Sequence, residues 1–469
     1  MTIWVPDLAT RSGPRYQAIA AAIVDAIDKG ELSPGAKLPP QRDLAWKLGV
    51  TVGTVSRAYM LAEQRGLLSG EVGRGTFVRD RGPGGGQLLG RWNDGAMDLS
   101  RNVPHSAAHD QALRDALHAL ADRQGVERLL HYMPSAGHHD HRAAGATWIG
   151  RTGLDVTPNQ VLLTGGAQQA MAAIMATLLN PGDVALTESL TYCGLMDAAR
   201  LHRARLDGVA MDDEGMLPEA LDRATSTTGA KVVILTPTIH NPTAAVMGTA
   251  RRRDIVEVAR RHDLTIVEDD VYGFLPVERP APIATIAPER TIYVASASKC
   301  IAPGFRVGWI ACPPALIEPL TDAMHAMSIA LPAMTAEVVR MWIADGTAAR
   351  LTEILRRETA ARQALMGELF QGFEMRRHPA SFHVLLHLPE PWAAEEFALA
   401  ARERGLIVIA APSFAVTRGA APAAIRISLS GAANEESLGL ALGDLRSLLN
   451  AGPRQRRGNH CGWLVLQPS

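Results

Sequence analysis

The sequence is poor in cysteine, in aromatic side chains and in net charge. Its 469 residues include four cysteines and 5% aromatic residues, and the formal net charge is −1. The cysteines lie far apart and form no C-x-x-C pair, so their spacing predicts neither a disulfide framework nor a zinc site and favours a reducing compartment. A net charge near zero by itself favours neither a nucleic acid nor a membrane as the partner.

Long apolar runs are also missing from the sequence. No stretch approaches the roughly 18–20 apolar residues that a membrane-spanning helix needs. The opening residues, MTIWVPDLATRSGPRYQ, do not show the basic-then-apolar order of a secretory signal. We therefore expect a cytoplasmic protein with no membrane partner.

The length and the distribution of glycine predict more than one domain. A chain of 469 residues exceeds what a single hydrophobic core usually holds. Residues 79–95 contain six glycines and one proline with little apolar content, which is typical of a linker. We predict a head at residues 12–80, a glycine-rich linker at 81–96 and a body at 97–450, and we assign no role to the tail at 451–469.

The head has the order of elements of a winged helix-turn-helix. Residues 16–29 carry apolar side chains at helical spacing, QRDLAWKL predicts a second short helix, and Thr51 is a plausible N-cap of a third. Two strand-like pieces joined by the glycine-rich EVGRG then predict a β-hairpin. Trp46 is expected in the core, because it lies among apolar residues of the second helix. Residues 1–82 hold 11 Lys and Arg against 8 Asp and Glu, an excess compatible with DNA binding.

Residues 38–78 resemble the winged helix of the GntR family. The match covers L-P-x-x-R-x-L-A, the turn L-G-V-T, T-V-x-R-A-Y and the wing G-x-G-T-F-V. A helix that begins with short side chains can press its N-terminus into the major groove, while arginines fix its register on the phosphates. The predicted DNA contacts are Arg42, Thr51, Gly53, Thr54, Arg57 and Arg74. Val52 stands where relatives often carry arginine and Ser56 where some carry a second one, so we expect fewer bases to be read directly.

Beyond the linker, apolar strand-like runs alternate with helical ones. VLLTGG, VVILTP, LTIVEDD and TIYVAS are the predicted strands, and the helical AQQAMAAIMATLL follows the first of them. This alternation predicts an α/β domain with a mostly parallel sheet.

The segment SASKCIAPGFRVGW, residues 296–309, resembles the S-x-S-K-x-x-x-P-G-x-R-x-G-W signature of fold-type I aminotransferases. The resemblance implies a pyridoxal 5'-phosphate (PLP) cofactor bound as a Schiff base to Lys299, the predicted catalytic residue. A lysine at a strand end suits this role when its amine is reachable and partly desolvated. A guanidinium can grip a phosphate bidentately and hydroxyls can add donors. The implied phosphate contacts are Arg306, Ser296 and Ser298.

Further motifs follow in the order of this family. TGGAQQAM would turn backbone N–H groups and a helix dipole toward an anion. In VEDDVYGFL the carboxylate would keep the pyridine nitrogen protonated, and the tyrosine would donate to the phenolic oxygen of the ring. HNPTA supplies an asparagine for the same oxygen, and ESLTYCG supplies an aromatic ring that stacks on the cofactor. The residues so implied are Gly166, Ala167, Gln168, Asp269, Tyr272, Asn241 and Tyr192.

One tyrosine and one arginine complete the resemblance, which spans about Tyr132 to Arg426. Tyr132 resembles the tyrosine that these enzymes lend to the partner subunit's phosphate, which implies a homodimer with shared sites. Arg426, in AIRISLS, stands where the family binds the α-carboxylate of a substrate.

Some residues depart from the family pattern or suggest another chemistry. Ala244 stands where glycine usually follows N-P-T, and His141 replaces a leucine in an early loop; both concern the local backbone. His138, His139, Asp140 and His141 could suggest a metal ion. Adjacent histidines point in diverging directions, so we predict no metal site there.

A GntR-type head joined to an aminotransferase-like body is identified as the MocR subgroup of the GntR family. The resemblance implies a transcription regulator that binds double-stranded DNA and senses an amino acid or amine when it displaces Lys299 from PLP. The alternative is an active aminotransferase that carries a DNA-binding head, since the catalytic residues are all present. In a third interpretation PLP itself is the signal.

Overall fold

The structure is a computed structural model that describes residues 4–6, 8, 14–28, 31–32, 36–64, 68–71, 75–78, 96–104, 106–417 and 421–453. The chain divides into two compact units, the head at residues 1–84 and the body at residues 85–469. Arg74, the predicted linker up to residue 95 and the tail from residue 454 lie outside the described residues. None of the helices in the described ranges has the length and hydropathy of a bilayer-spanning segment.

Three helices and a β-hairpin form the head. They are α1 (Arg15–Asp28), α2 (Gln41–Leu48), α3 (Val52–Gln64), β1 (Leu68–Glu71) and β2 (Gly75–Val78). The two strands pair antiparallel, with Leu68 opposite Val78, and side chains from all three helices share one apolar core. The predicted order of helices, turn and hairpin is confirmed.

Two local residues shape the turn between α2 and α3. Thr51 Oγ1 accepts a hydrogen bond from the backbone N–H of Thr54 at 3.2 Å, which satisfies a donor left free at the helix N-terminus. Gly49 ends α2 with a φ of 63°, a left-handed conformation that glycine adopts without a Cβ penalty. The predicted N-cap is confirmed.

The prediction for Trp46 was wrong. Its side chain is 84% exposed, whereas Leu44 and Ala45 are the buried residues of α2. Each step along an α-helix turns the side chain by about 100°, so one position beyond the buried pair already points to solvent. Apolar neighbours in sequence therefore did not place the indole in the core.

The body contains the remaining helices and strands. Its helices are α4 (Ala107–Ala121), α5 (His139–Gly150), α6 (Ala167–Leu178), α7 (Cys193–His202), α8 (Pro218–Thr228), α9 (Thr249–Arg261), α10 (Ile283–Ile286), α11 (Ile317–Met327), α12 (Ala333–Ala344), α13 (Thr347–Leu369), α14 (Ala394–Glu403) and α15 (Glu435–Ala451). Its strands are β3 (Met97–Asp98), β4 (Val161–Thr164), β5 (Val184–Glu188), β6 (Arg205–Val209), β7 (Met211–Asp212), β8 (Gly215–Met216), β9 (Val232–Leu235), β10 (Thr265–Asp269), β11 (Thr291–Ser296), β12 (Gly308–Ala311), β13 (Met375–Arg376), β14 (His383–His387), β15 (Leu406–Ile407), β16 (Ile409–Ala410) and β17 (Ala424–Ser428).

A seven-stranded sheet forms the centre of the body. Its strand order is β4–β12–β11–β10–β9–β5–β6. β12 runs antiparallel to both neighbours, and the other pairs are parallel. β4, β9, β11 and β12 are buried along their whole length, as expected of strands covered on both faces. The predicted α/β class with a mostly parallel sheet is confirmed.

A smaller antiparallel sheet supplies two further side chains to the site. Its strand order is β13–β14–β17–β16, and it packs with α13, α14 and α15 around a core of its own. His383 begins β14, and Arg426 lies in the middle of the neighbouring β17. Through this second sheet Arg426 reaches Asn241, 185 positions earlier in the chain, and His383 reaches His240, 143 positions earlier.

Candidate functional site

Three predicted residues lie at the carboxyl ends of strands in the seven-stranded sheet. Asp269 ends β10, Lys299 follows β11, and Gly166 lies between β4 and α6. β4 and β11 both run antiparallel to β12, and β10 runs parallel to β11. These ends therefore meet at one edge of the sheet, where open α/β sheets bind their ligands.

Lys299 has an amine that is shielded from bulk water. The residue ends a short 3-10 helix, Ala297–Lys299, and its Nζ donates to the backbone carbonyl oxygen of Asn102 at 2.6 Å. Burial, together with the charges of Arg426 and Arg306, lowers the pKa of Lys299 to about 8. Near neutral pH more of this amine is uncharged than in an ordinary lysine, and only the uncharged amine is a nucleophile.

Arg306 and the turn before α6 form a compact cradle. Arg306 Nη1 donates to Ser298 Oγ at 3.3 Å, and its Nη2 donates to the carbonyl oxygen of Gly165 at 3.0 Å. Gly166 has a φ of 89°, and a Cβ there would come within 2.6 Å of Arg306 Nη2. Since α6 begins at Ala167, the free N–H groups of its first turn lie beside the guanidinium, a combination suited to a phosphate.

Ser296 and Gln168 use their side chains elsewhere. Ser296 Oγ accepts a hydrogen bond from the backbone N–H of Ser298 at 3.1 Å and lies 3.4 Å from another backbone carbonyl oxygen. Gln168 Nε2 donates to the carbonyl oxygen of Gly194 at 2.7 Å. Of the two predicted serines, Ser298 is therefore the one whose hydroxyl contacts Arg306, and Gln168 has only its backbone N–H near the cradle.

Asp269 is a partly buried carboxyl group beside Lys299. The backbone N–H of Val271 donates to Asp269 Oδ1 at 3.4 Å. Burial, reinforced by the charge of Asp270, raises the pKa of Asp269 to about 7, although Val271 and Lys299 act in the opposite direction. A cationic partner, such as a protonated pyridine nitrogen, would stabilise the ionised form.

Arg426, in the smaller sheet, is hydrogen-bonded to Asn241, which lies between β9 and α9. Arg426 Nη1 donates to Asn241 Oδ1 at 2.9 Å, and Nη2 donates to the backbone carbonyl oxygen of Ser100. The arginine is only 4% exposed, and its guanidinium lies 5.0 Å from the centre of the Phe414 ring. Among the described residues, Nε of Arg426 has no hydrogen-bond partner. A buried guanidinium with an unpaired N–H favours an anionic ligand.

Tyr192 lies at the start of α7, close enough to Asp269, Arg426 and Arg306 for their charges to act on its phenol. It is the residue before the helix and is 39% exposed. A Cβ on Gly194 would collide with both the Tyr192 ring and the Gln168 amide. The glycine two positions after this tyrosine therefore has a packing role that the motif did not explain.

Tyr132 lies outside this group of contacts. It is 84% exposed and borders a cavity of about 540 Å³ that is rich in basic side chains. His138, His139, Asp140 and His141 line the same cavity. His141 Nε2 pairs with Glu337 Oε2 at 3.1 Å. Within the described ranges, no group of three or more His, Cys, Asp and Glu side chains is placed to hold a metal ion.

Asn102 and His383 belong to the pocket although the motifs do not indicate them. Asn102 is 5% exposed and His383 is fully buried. Asn102 Nδ2 lies 2.8 Å from Tyr272 Oη and 2.9 Å from His383 Nδ1. The only sequence signal is a histidine at the head of the apolar strand HVLLH, which by itself is a weak one.

The departure at Ala244 is visible in the backbone. Ala244 adopts a φ of 59°, the left-handed region that glycine occupies without strain. Its backbone N–H donates to the carbonyl oxygen of His240 at 2.6 Å. The turn that presents Asn241 is thus formed with alanine in the place of glycine.

The predicted DNA contacts that the structure describes lie on α2, on α3 and at Thr51, the residue just before α3. Arg42, Thr51, Gly53 and Arg57 are exposed, and Thr54 is partly exposed. The Arg57 guanidinium lies over the ring of Tyr16 from α1, 4.3 Å from its centre. This cation–π contact restricts where the charge of Arg57 points.

Two protein families match separate parts of the chain. Residues 15–78 match the bacterial regulatory proteins of the gntR family. Residues 94–443, about three quarters of the chain, match aminotransferase class I and II.

Two relatives and a solved structure are similar to most of this chain. The uncharacterized HTH-type transcriptional regulator YdeF of Bacillus subtilis (strain 168) is 30% identical over 448 residues, covering 95% of this chain and 97% of that protein. The uncharacterized HTH-type transcriptional regulator YjiR of Escherichia coli (strain K12) is 29% identical, covering 80% of this chain and 86% of its own. The crystal structure of Pyrococcus horikoshii kynurenine aminotransferase covers 84% of this chain and 99% of its own at a TM-score of 0.72 and 23% identity. At that identity the likeness concerns the fold alone.

Proposed function

We propose that the protein is a DNA-binding transcription regulator, because the chain belongs to the aminotransferase class I and II family and carries a GntR-type domain ahead of it, in the MocR arrangement. Its body would bind PLP as a Schiff base on Lys299 and sense an amino acid, an amine or PLP itself. The observation that carries the proposal is the presence, in one chain, of a GntR-type winged helix and a shielded lysine amine beside Asp269, Arg306 and Arg426. With DNA as its partner, it would act in the cytoplasm.

The chemistry of the pocket fits PLP. The cradle between Arg306 and Gly166 leaves no room for a Cβ and gathers a guanidinium, a hydroxyl and a helix N-terminus for a phosphate. Lys299 offers an amine of lowered pKa. When bound, PLP supplies an electrophilic carbon that exchanges one amine for another, with the ring as an electron sink.

Most of the predicted residues would then have a role in holding PLP or the effector. Arg306, Ser298 and the first turn of α6 would hold the phosphate, and Tyr192 would stack on the ring. Asp269 would keep the ring nitrogen protonated, since a cation beside it stabilises its ionised form. The phenolic oxygen would be contacted by Tyr272 and Asn241. Arg426 would bind the carboxylate of an effector.

Exposed side chains near Tyr132 support a homodimer. Tyr132 is 84% exposed and Leu130 is 83% exposed, a patch that a second copy would cover. In such a dimer Tyr132 would reach the phosphate in the partner subunit, so that each site needs both chains. Two tethered heads would then read two half-sites of double-stranded DNA.

An active aminotransferase is the alternative, and one observation favours it. The residues predicted for turnover are all present, and Arg426 and Asp269 both lie close enough to Lys299 to shift its pKa. Steady-state turnover with an amino donor and a keto acid measures this alternative directly.

The test uses full-length protein loaded with PLP and DNA from both sides of its own gene. Wild-type protein, Lys299→Ala and the exposed Lys231→Ala are compared in gel shifts with and without a panel of amines and amino acids. We expect all three to bind the DNA, and only Lys299→Ala to lose the response to the effector. Comparing cofactor-free with loaded wild-type protein tests whether PLP itself is the signal.

Two results would contradict the proposal. An unchanged effector response in Lys299→Ala would show that sensing does not pass through the lysine. Rapid turnover without any DNA affinity would favour the aminotransferase.

A further inference from the structure

Asn102 connects three residues of the pocket through separate atoms. Its backbone carbonyl oxygen accepts from Lys299 Nζ at 2.6 Å. Its side-chain Nδ2 lies 2.8 Å from Tyr272 Oη and 2.9 Å from His383 Nδ1. The contact to Lys299 therefore does not depend on the Asn102 side chain, whereas the contacts to Tyr272 and His383 do.

The tautomer of His383 follows from its second ring nitrogen. Nε2 lies 3.0 Å from the backbone carbonyl oxygen of His240, which can only accept, so Nε2 carries the proton. Burial and the charge of Arg426 lower the pKa of His383 to about 3, so the ring is neutral and has one N–H. Nδ1 is therefore an acceptor.

This tautomer fixes the direction of every proton around Tyr272. Since His383 Nδ1 accepts, the atom of Asn102 that faces it must be the NH2 nitrogen, and the same nitrogen donates its other hydrogen to Tyr272 Oη. Burial raises the pKa of Tyr272 to about 12, so the phenol keeps its own hydrogen. Within the described ranges no protein group accepts that hydrogen, which leaves it available to a ligand.

We propose that Asn102 and His383 are positioning residues that hold Tyr272 as a hydrogen-bond donor toward the bound cofactor. The inference rests on the proposed PLP site. Asn102 prevents the phenol from donating back into the protein, and its donated bond also polarises the Tyr272 hydroxyl. His383 acts through Asn102, because its Nδ1 acceptor keeps the Asn102 side-chain amide from flipping by 180°.

The readout is the pKa of the Lys299-bound cofactor, followed by its visible absorbance during a pH titration. A donor to the phenolic oxygen stabilises the negative charge that remains when the Schiff-base nitrogen loses its proton, so it lowers this pKa. Tyr272→Phe should raise it by about one to two pH units, the effect of one hydrogen bond to a charged acceptor. Asn102→Ala should raise it by roughly half a unit, because the donor is weakened but still present.

A double substitution separates positioning from general damage. In a Tyr272→Phe background, Asn102→Ala should leave the pKa unchanged, because the residue through which it acts is gone. Arg426, Tyr192 and Asp269 also influence the Tyr272 phenol, and none of them is altered in these variants. An equal shift from Asn102→Ala in both backgrounds would overturn the proposal.

The two isosteric variants of His383 provide a second test that does not require Asn102→Ala to fold. His383→Leu removes the acceptor and should raise the cofactor pKa, whereas His383→Asn restores an acceptor near Nδ1 and should stay near the wild-type value. Identical titrations for Leu and Asn would assign His383 to packing alone and overturn its positioning role. If wild-type protein gave no absorbance from a Lys299-bound cofactor, the proposed PLP site itself would be wrong. This result is distinguishable from every pKa shift described above.

Discussion

Gly166 and Arg306 occupy the same small space at the start of α6. Gly166 has a φ of 89°, and a Cβ there would come within 2.6 Å of Arg306 Nη2. The guanidinium can donate to Ser298 and Gly165 only because position 166 has no side chain. This close approach is the geometric basis of the proposed phosphate contact.

Gly166→Ala should therefore displace Arg306 and weaken PLP binding. A charge-assisted hydrogen bond contributes about 1.5–3 kcal/mol, so the Kd should rise by roughly 10- to 150-fold. Gly153→Ala is the matched control, because Gly153 has the same φ of 89° with no atom within 4 Å of an added Cβ. Both variants should lose about 1 kcal/mol of stability from the left-handed backbone. If absorbance titrations gave similar PLP affinities for the two variants, the close approach of Arg306 to Gly166 would not contribute to PLP binding.

Asp269→Asn should change the pH dependence of stability in the cofactor-free protein. The pKa of Asp269 is raised from 3.8 to about 7, so between these values the folded state binds more protons than the unfolded state, and its stability falls as pH rises. The substitution should be nearly neutral at pH 4 and stabilising by about 2–4 kcal/mol above pH 7.

Urea unfolding at several pH values measures this difference, with the exposed Asp155→Asn as the control. The same Asp269→Asn substitution should weaken PLP binding, because the protonated ring nitrogen and the ionised carboxylate stabilise each other and asparagine carries no charge. If Asp269→Asn stabilised the protein equally at pH 4 and pH 8, the raised pKa of Asp269 would be contradicted.

Arg57→Ala should reduce DNA affinity and also its salt dependence. If Arg57 contacts one phosphate, the slope of log affinity against log salt should fall by about 1. Tyr16→Leu removes the ring under the guanidinium and should give a weaker loss, since the charge remains but is less restricted. Fluorescence anisotropy at several salt concentrations measures both, and Arg223→Ala in the body is the control.

Trp46→Ala should leave the stability of the head almost unchanged. The indole is 84% exposed, and surface substitutions usually change the free energy of unfolding by less than about 0.5 kcal/mol. Leu44→Ala, at a fully buried position two residues earlier, should cost about 2–5 kcal/mol. Denaturant unfolding of both variants measures this difference. An equal loss of unfolding free energy in the two would contradict the exposed position of Trp46.

Arg426→Ala should weaken the response to effectors that carry a carboxylate. The buried guanidinium has an unpaired Nε, so an anion should bind there, whereas a plain amine makes no use of it. DNA affinity without effector should stay nearly unchanged. Gel shifts on DNA with varied half-site spacing, run with an amino acid and with the corresponding amine, test this; a mutant that responds like the wild type to both would refute it.

Much of this protein could be read from short stretches of sequence. The N-cap Thr51, the left-handed Gly49 and the strands that precede Asp269 and Lys299 are set by neighbours a few residues away. The S-x-S-K and D-x-x-Y motifs were also recognisable from sequence, because each lies at the end of one strand and in the turn that follows it. Local propensity and spacing act over this range, so they were sufficient for the fold class and for the order of the elements.

The tertiary structure alone decided what surrounds those motifs. Trp46 faces solvent because of its angular position on α2, and Ser296 turns its hydroxyl into its own turn. Asn102 meets Tyr272 and His383 across 170 and 281 residues of chain, a separation over which no local pattern operates. The pKa values of Lys299 and Asp269 likewise depend on burial and on charges from other elements. Sequence fixes which chemical groups are available, whereas desolvation and long-range contacts, which exist only after folding, decide how those groups behave.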